Sequence, residues 1–186
     1  EGRDQAIIDQ IAAAIASVEG VELLNVDPGK ATNRTVVTFA GTPQAVVEAA
    51  FRGIKTAQTL IDMRQHKGEH PRMGATDVCP FVPISNATLA DCVACANALA
   101  QKVANELQIP IYLYEAAAKH PDRKNLANIR AGEYEGLPEK LIHPDWAPDF
   151  GPKIWNESIA KSGATVIGAR PFLIAYNINL NTTSKR

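Results

Sequence analysis

The fold is decided at residues 63–84, which read MRQHKGEHPRMGATDVCPFVPI. This stretch places two histidines, three basic side chains and two carboxylates between a long helical pattern and a strand pattern. Gly68, Pro71 and Gly74 prevent its polar part from forming one continuous helix. A polar loop of this density between two regular elements is typical of binding and catalytic groups. On local pattern alone, a solvated connection with ordinary surface charges is an equally good interpretation.

Regular elements are predicted on both sides of this loop. The preceding helix starts at Pro43 after its cap Thr42, and the following helix starts after the cap Thr88. Residues 132–163 are poor in regular pattern, and a long loop of this kind is usually functional or flexible. In chain order the predicted elements are helix 3–19, strand 21–26, a turn at Asp27-Pro28-Gly29, strand 35–39, helix 43–62, strand 78–84, helix 88–107, strand 109–114, a short helix near 123–131, and strands 165–167 and 172–178.

This order of elements predicts the fold class. Helices and strands alternate, but the strand pair within residues 21–40 has the pattern of a hairpin. The combination predicts an α+β fold, a two-layer α/β sandwich whose mixed sheet carries helices on one face. The long helices at 43–62 and 88–107 each need a partner for an apolar stripe. We therefore expect these two helices side by side on the same face.

The composition bounds the class of protein. The chain has 186 residues, 46% hydrophobic and 21% charged, as in an ordinary globular domain. A net charge of -1 offers no electrostatic footprint for nucleic acid or an anionic membrane, and no apolar run is long enough to span a bilayer. The start has no signal-peptide pattern. Cys79, Cys92 and Cys95 form no disulfide framework, which favours a reducing, cytoplasmic location.

Metal and redox chemistry are disfavoured by the residues themselves. His66 and His70 are four apart, but Gly68 and Pro71 interrupt any helix that would present both rings together, and no third ligand is close in sequence. We therefore expect no metal. The pair Cys92 and Cys95 has the spacing of a redox motif, but it lies in an apolar helical pattern, where two small buried thiols are the better interpretation.

Acid–base chemistry on a small polar substrate is what remains. The sequence has no glycine-rich nucleotide loop and no serine in a nucleophile elbow. His70 is the best candidate acid or base, because imidazole titrates near neutral pH. Asp27 is a candidate for orienting it, although the local pattern favours a simple turn aspartate before Pro28. His66, nearer the end of the preceding helix, is interpreted as a C-terminal capping group.

The sequence resembles a known family over nearly its whole length. The blocks that carry the resemblance stand in the family's order: HKGEHPRMGA at 66–75 with DVCPF at 77–81, TNRTV at 32–36, IRAGEYE at 129–135, DWAPDFGP at 145–152 and NINL at 177–180. They resemble the glutamate formiminotransferases, including the transferase part of the bifunctional formiminotransferase-cyclodeaminase. Matches of this length are highly specific.

The resemblance implies a reaction and a site. The reaction is transfer of a formimino group from N-formimino-L-glutamate to N5 of tetrahydrofolate, which acts as co-substrate without a metal or redox cofactor. His70 is then the catalytic histidine, and Asp27 lies in the same active site. Because the substrate carries two carboxylates, Arg34 and Arg72 are candidates to bind them, with surface ion pairs as the alternative.

The resemblance also implies a folate-binding loop after the block at 145–152. The loop starts at Gly151-Pro152 and ends near Gly163-Ala164, and its candidate folate-binding residues are Gly151, Pro152, Lys153, Trp155 and Gly163. We expect this loop to be mobile until folate binds. Trp155 is expected to stack on the pterin or aminobenzoyl ring, or else to pack on the domain itself.

The resemblance finally implies a ferredoxin-like N-terminal subdomain. We assign residues 1–178 to that subdomain and 179–186 to a linker or tail toward a C-terminal subdomain. Family members open with a further short strand, and the interior of the folate loop at 153–162 differs from theirs. The family pattern implies a homodimer and a cyclodeaminase, attached or separate. A catalytically silent folate-binding or dimerisation subdomain is the alternative function.

Overall fold

The computed structural model describes residues 1–174. Its elements, in chain order, are α1 (Gln5–Ala16), β1 (Val21–Gly29), β2 (Arg34–Gly41), α2 (Pro43–Leu60), β3 (Val78–Phe81), α3 (Leu89–Leu107), β4 (Ile111–Glu115), a 3-10 turn (Pro121–Lys124), α4 (Leu126–Arg130), α5 (Leu137–Ile142), α6 (Glu157–Ser162) and β5 (Thr165–Ala169). None of the helices in this described part is long and apolar enough to cross a membrane.

The long helices begin where the capping residues of the sequence predict. The Thr42 hydroxyl accepts a hydrogen bond from the backbone N–H of Ala45 at the start of α2. Thr88 and Asp91 form a reciprocal capping box at the start of α3. These contacts satisfy backbone N–H groups that have no partner within the helix, so the sequence alone determines both starts.

The strands fall into two sheets. β1 and β2 form an antiparallel hairpin, and β3, β5 and β4 form a parallel sheet with β5 in the centre. The α+β class is therefore confirmed. The structure differs from the single mixed sheet that the sequence predicted, because in residues 1–174 the antiparallel and parallel strands do not pair with each other.

The hairpin is longer than predicted. β1 continues through Asp27, Pro28 and Gly29, which pair with Val36, Thr35 and Arg34 of β2. The predicted turn at Asp27-Pro28-Gly29 is therefore wrong. The chain reverses direction at residues 30–33 instead, where Asn33 adopts a left-handed backbone (φ 48°). Asp27 consequently projects from a strand rather than from a turn.

The parallel sheet is covered on both faces. Ile111 and Leu113 of β4 pack with α3 on one face, and the intervening Tyr112 and Tyr114 pack on the other. This alternation follows from the two-residue repeat of a strand. The second face is covered by Ile129 of α4 and by the residues Leu137, Tyr134, Trp146 and Trp155. The sheet therefore has the long helix α3 on one face and short helices on the other.

α2 joins the hairpin to the parallel sheet. Its Ala50 and Ile54 belong to the core that α3 forms over the sheet, whereas Ala49 packs with Ile15 of α1 against the hairpin. α2 and α3 pack directly against each other, as predicted. At Gly53 a side chain would lie 2.9 Å from Ile15, so the missing Cβ permits the close approach of α1 and α2.

Two helices lie in the region that the sequence analysis left irregular. α5 and α6 are short, and their hydrophobic residues are too few to give a clear period. The side chain of Asn156 caps α6 by accepting from the N–H of Ile159 at 3.0 Å. The last predicted strand is not formed at 172–174, which are exposed. Its remainder at 175–178 and the boundary after 178 lie outside the described residues.

A buried ion pair fixes the region before α6. Arg123 and Asp149 are each 2% exposed, and Nη1 of Arg123 lies 2.8 Å from Oδ2 of Asp149. The same carboxylate accepts from the N–H of Leu113 at 2.8 Å, and Arg123 donates to the carbonyls of Asp145 and Ala147. These bonds attach the segment before Gly151 to the middle of β4 and to the 3-10 turn that follows it. Neither residue was selected from the sequence.

We expect Asp149→Ala to lower the free energy of unfolding by about 3–5 kcal/mol, because it leaves the Arg123 guanidinium buried without a counter-charge. The control is Glu157→Ala, which removes an ion pair with Arg64 whose two side chains are 92% and 49% exposed. That change should cost less than about 1 kcal/mol. Urea denaturation of both variants measures the difference, and equal losses would contradict the role assigned to the buried pair.

Candidate active site

The loop between α2 and β3 is attached on one side to the tip of the hairpin. The side-chain amide of Asn33 donates to the carbonyl of Lys67 at 2.8 Å, and the N–H of Glu69 donates to the carbonyl of Ala31 at 3.4 Å. At Gly68 a Cβ would stand 2.3 Å from the carbonyl oxygen of Thr32, so only glycine permits this approach. The hairpin tip and the loop therefore form one unit.

The other side of the loop is attached to the end of α6. Gly74 and Gly163 form an isolated antiparallel bridge, and the N–H of Ala164 donates to the carbonyl of Met73 at 3.0 Å. Gly163 has φ +69°, and a Cβ there would lie 2.2 Å from the carbonyl oxygen of Met73. The loop is thus held between the hairpin and the segment that the sequence assigned to folate.

His66 is part of this attachment. Its Nε2 lies 2.9 Å from the carbonyl oxygen of Asn33, and a carbonyl only accepts, so Nε2 carries the proton. Its Nδ1 is buried with no hydrogen-bond partner in the described structure. Burial is the main cause that lowers the pKa of His66. His66 does not cap the preceding helix as expected, since α2 already ends at Leu60.

His70 has the opposite tautomer. Its Nε2 lies 3.3 Å from Nη1 of Arg34, and a guanidinium only donates, so Nε2 is an acceptor and the ring is uncharged. Burial is the largest cause that lowers the pKa of His70, and the positive charges of Arg34 and Arg130 lower it further. The negative charges of Asp77 and Glu133 have a smaller, opposite effect. An uncharged imidazole keeps a lone pair on Nε2, which here accepts from Arg34 and is the position that can take a proton.

Asp27 lies on the same face of the hairpin as Arg34. Asp27 pairs with Val36, and Arg34 is two residues from Val36 on β2, so all three side chains project from one face. The opposite face carries Val37, which packs toward α1 and α2. Asp27 is exposed, and within residues 1–174 its carboxylate makes no hydrogen bond or ion pair. The register thus directs Asp27 to the side of the hairpin where His70 contacts Arg34.

Arg72 is occupied by acidic neighbours. Its guanidinium makes two 2.8 Å contacts with the carboxylate of Glu135 and one 3.1 Å contact with Glu133, and the side chain is 10% exposed. It also donates to the carbonyl of His66. The Glu135 pKa is lowered to about 2, first by its hydrogen bond to Arg72. Arg72 is therefore placed to hold the histidine loop against the turn after α4.

Arg130 is an additional basic residue at the site. It forms an ion pair with Asp77, whose other oxygen accepts from the N–H of Met73 at 2.9 Å. Because Arg130 lowers the pKa of His70, its charge acts at the candidate base. It was not selected from the sequence, although it stands in the block at 129–135 that carries the family resemblance. The family block could have pointed to Arg130, but the spacing of residues alone did not distinguish Arg130 from other surface arginines.

The segment from Gly151 to Gly163 contacts the site through aromatic packing. Trp155 meets Tyr134 edge to face, with ring centroids 5.8 Å apart and planes at 61°. The guanidinium of Arg72 lies 5.9 Å from the centre of the same tyrosine ring. Trp155 is therefore partly buried on the domain, which is one of the two arrangements that the sequence left open.

The remaining candidate residues of this segment differ in their setting. Gly151 has φ +86° and no room for a Cβ, which would lie 2.4 Å from the carbonyl of Ile109. Pro152 is half-buried, and Lys153 is exposed with no hydrogen-bond partner among the described residues. No group of three His, Cys, Asp or Glu side chains that could hold a metal occurs in residues 1–174.

These observations describe an α+β domain with a candidate acid–base site around His70, beside one exposed and two ion-paired arginines. A family model described as the formiminotransferase domain, N-terminal subdomain, matches residues 1–170. The chain belongs to this family, whose relatives are named as transferases. The family expected from the sequence blocks is thereby confirmed.

Individual relatives agree with this assignment. The chain is 55% identical over 186 residues to the formimidoyltransferase-cyclodeaminase of Rattus norvegicus, covering all of this chain and 34% of that protein. It is 48% identical over 182 residues to the glutamate formimidoyltransferase of Streptococcus pyogenes serotype M1 and 49% identical over 186 residues to that of Thermoplasma acidophilum. The two matches include 98% and 99% of this chain, respectively, and 60% of each microbial relative.

We expect Gly68→Ala to separate the hairpin tip from the histidine loop, because its Cβ would overlap the carbonyl of Thr32. The cost in unfolding free energy should be about 1–3 kcal/mol, as for other overpacked sites. Glu69→Ala is the control, since this exposed side chain makes no hydrogen bond in the described structure, and it should change stability by less than about 0.5 kcal/mol. Thermal denaturation measures both, and an unaffected Gly68→Ala variant would show that the two loops are not closely packed.

Proposed function

We propose that the chain is the N-terminal part of a glutamate formimidoyltransferase, which moves the formimino group of N-formimino-L-glutamate to N5 of tetrahydrofolate. The observation that carries this proposal is the uncharged His70, presented beside Arg34 on a loop that the fold holds on two sides. The names of the microbial relatives support the same reaction. The reaction places the protein in histidine degradation and one-carbon metabolism.

The chemistry requires one proton to move between two nitrogens. N5 of tetrahydrofolate adds to the formimino carbon, which forms an N–C bond and a tetrahedral intermediate. The lone pair on Nε2 of His70 takes the proton from N5. When the bond from carbon to the glutamate nitrogen breaks, the imidazolium returns that proton to the leaving nitrogen. A single imidazole thus acts as base and then as acid, and no electrons are exchanged with a cofactor.

The neighbouring side chains have distinct roles in this proposal. Asp27 orients the imidazole and stabilises its charged form, from the face of the hairpin that it shares with Arg34. Arg34 binds a carboxylate of the formiminoglutamate. Arg72, which the sequence placed among the substrate ligands, instead positions the loop through Glu133 and Glu135. Arg130 and Asp77 set the charge around His70.

Tetrahydrofolate is proposed to bind at the segment from Gly151 to Gly163. Trp155 offers an aromatic edge beside Tyr134, and Lys153 offers an exposed positive charge for the glutamate tail of the folate. The tight turns at Gly151 and Gly163 fix the ends of this segment. Since α6 occupies its second half, the mobility expected without folate is confined in this proposal to residues 152–156.

Three further proposals concern assembly and location. We infer a homodimer and a cytoplasmic location, the second from the three free cysteines. A cyclodeaminase, attached or separate, is proposed as partner because the animal relatives carry that activity in their names. The chain spans 60% or less of the relatives just described, so a folate-binding or dimerisation role without turnover is a second outcome for the isolated chain.

The deciding experiment is a turnover assay. The purified chain and the full-length protein are each mixed with formiminoglutamate and tetrahydrofolate, and the formation of 5-formiminotetrahydrofolate is followed. Product formed by the full-length protein supports the proposal. Folate binding without product in both forms would support the silent alternative, and neither binding nor product would contradict both.

We expect His70→Ala to lower turnover by ~10²–10⁴-fold while folate still binds, because it removes the group that carries the proton. His66→Ala is the matched control from the same loop: it should lower stability but reduce turnover far less, since His66 bonds only to the backbone of Asn33. Asp27→Asn should fall between them. Steady-state rates in the full-length protein check this order, and an active His70→Ala variant beside an inactive His66→Ala variant would reverse the assignment.

We expect Trp155→Ala to weaken tetrahydrofolate binding several-fold, because this half-buried ring beside Tyr134 lies in the segment proposed to bind folate and an aromatic ring there can stack on the ligand. Ile154→Ala is the control, since that neighbouring side chain is 74% exposed. Fluorescence or calorimetric titration of both variants gives the affinities. Equal affinities would remove the stacking role and leave Trp155 as a packing residue.

A further inference from the structure

We propose that Arg34 couples carboxylate binding to the proton affinity of His70. With no acid bound, the guanidinium donates to Nε2 of His70 and keeps that nitrogen an acceptor. A carboxylate that binds Arg34 neutralises this charge and leaves Nε2 free to take a proton. The identity of the acid, formiminoglutamate, rests on the proposed function, whereas the coupling itself rests on the contact between the two side chains.

The first observation concerns which arginine is available. Arg72 is bound to Glu133 and Glu135, and Arg130 is bound to Asp77. Arg34 is exposed, and within residues 1–174 its guanidinium makes no ion pair. Because a guanidinium has five N–H donors, one contact to an imidazole leaves most of them unused. Arg34 is therefore the arginine of the three that a carboxylate can reach without breaking an ion pair.

The second observation concerns which charges face His70. Arg34 approaches from β2 and Arg130 from the end of α4, while Asp77 lies before β3 and Glu133 lies in the turn after α4. Arg130 and Asp77 neutralise each other in one ion pair, and Glu133 bonds Arg72. Asp27 projects from the same face of the hairpin as Arg34 but makes no ion pair with it. Within residues 1–174 the charge of Arg34 therefore lies outside any ion pair, 3.3 Å from the ring nitrogen that must accept the proton.

The consequence is a base that becomes stronger when its substrate arrives. A protonated His70 could not accept a hydrogen bond from Arg34, and its positive charge would lie beside the positive guanidinium. The site without a bound acid therefore favours the uncharged ring. A carboxylate on Arg34 adds a negative charge to the pair and removes that repulsion. By linkage, the acid must then bind more tightly as His70 becomes protonated.

The test measures His70 directly, in the 186-residue chain, by NMR titration of its ring. We expect Arg34→Gln to raise the pKa of His70, so that its acid dissociation constant falls by roughly threefold to tenfold, because a cation is removed from hydrogen-bond distance. Arg34→Lys keeps the charge and should leave most of the lowering in place. Lys67→Gln is the matched control, since it removes a charge from the same loop at a side chain whose ion pair is with Glu135.

The second part of the test adds L-glutamate as the carboxylate probe. Saturating L-glutamate should raise the pKa of His70 in the unaltered chain and should have little effect in Arg34→Gln. The ring of His66, read in the same spectra, should not respond in any variant. An Arg34→Gln variant with an unchanged His70 pKa would overturn the proposal, and so would a His70 titration that L-glutamate leaves unchanged in the unaltered chain. Neither result depends on transfer activity, so a failed turnover assay would contradict the reaction and leave the coupling standing.

Discussion

The buried side-chain amide of Asn33 connects the chain start, the hairpin and the histidine loop at the candidate site. Asn33 is 6% exposed, and its side chain accepts from the N–H of Gly2 at 2.9 Å and donates to the carbonyl of Lys67 at 2.8 Å. Its own carbonyl accepts from His66 at 2.9 Å. Three separate segments therefore meet at one residue, and a buried amide left without these partners would cost free energy. The next residue, Arg34, is thereby carried to His70.

The fold was predictable where local chemistry decides it. Thr42 and Thr88 accept hydrogen bonds that only a helix start provides, so the starts of α2 and α3 follow from the sequence. The turn of the hairpin did not follow, because Asp27-Pro28-Gly29 has the composition of a turn but pairs as a strand. What displaces the turn is Asn33, whose left-handed backbone is stabilised by contacts 31 and 34 residues away. Local pattern cannot register contacts at that separation.

The sequence named candidate residues that the structure brings together, but it did not predict which arginine is held in ion pairs. His70 and Arg34 were both selected, and the structure brings them into contact. Arg72 could not be separated from Arg34, because both are arginines in polar loops and the glutamates that occupy Arg72 lie 61 and 63 residues further along the chain. Arg123 was missed for the same reason, since its partner Asp149 is 26 residues away. Ion pairs between distant residues decide which arginine is free, and spacing does not contain that information.

The two histidines of the loop differ in what their rings contact. His66 uses its ring proton to bind the carbonyl of Asn33, and burial keeps its other nitrogen from water. A proton gained there would have to be buried, so His66 is suited to hold the loop in place. His70 presents a lone pair to an exposed guanidinium, whose charge a ligand can neutralise. His66 and His70 are four residues apart with Gly68 between them. The ring of His66 lies between the loop and the hairpin tip, and the ring of His70 lies beside the exposed Arg34. The attachment of the loop is thus supplied by His66, whereas His70, the candidate acid or base, bonds to a side chain instead of the backbone.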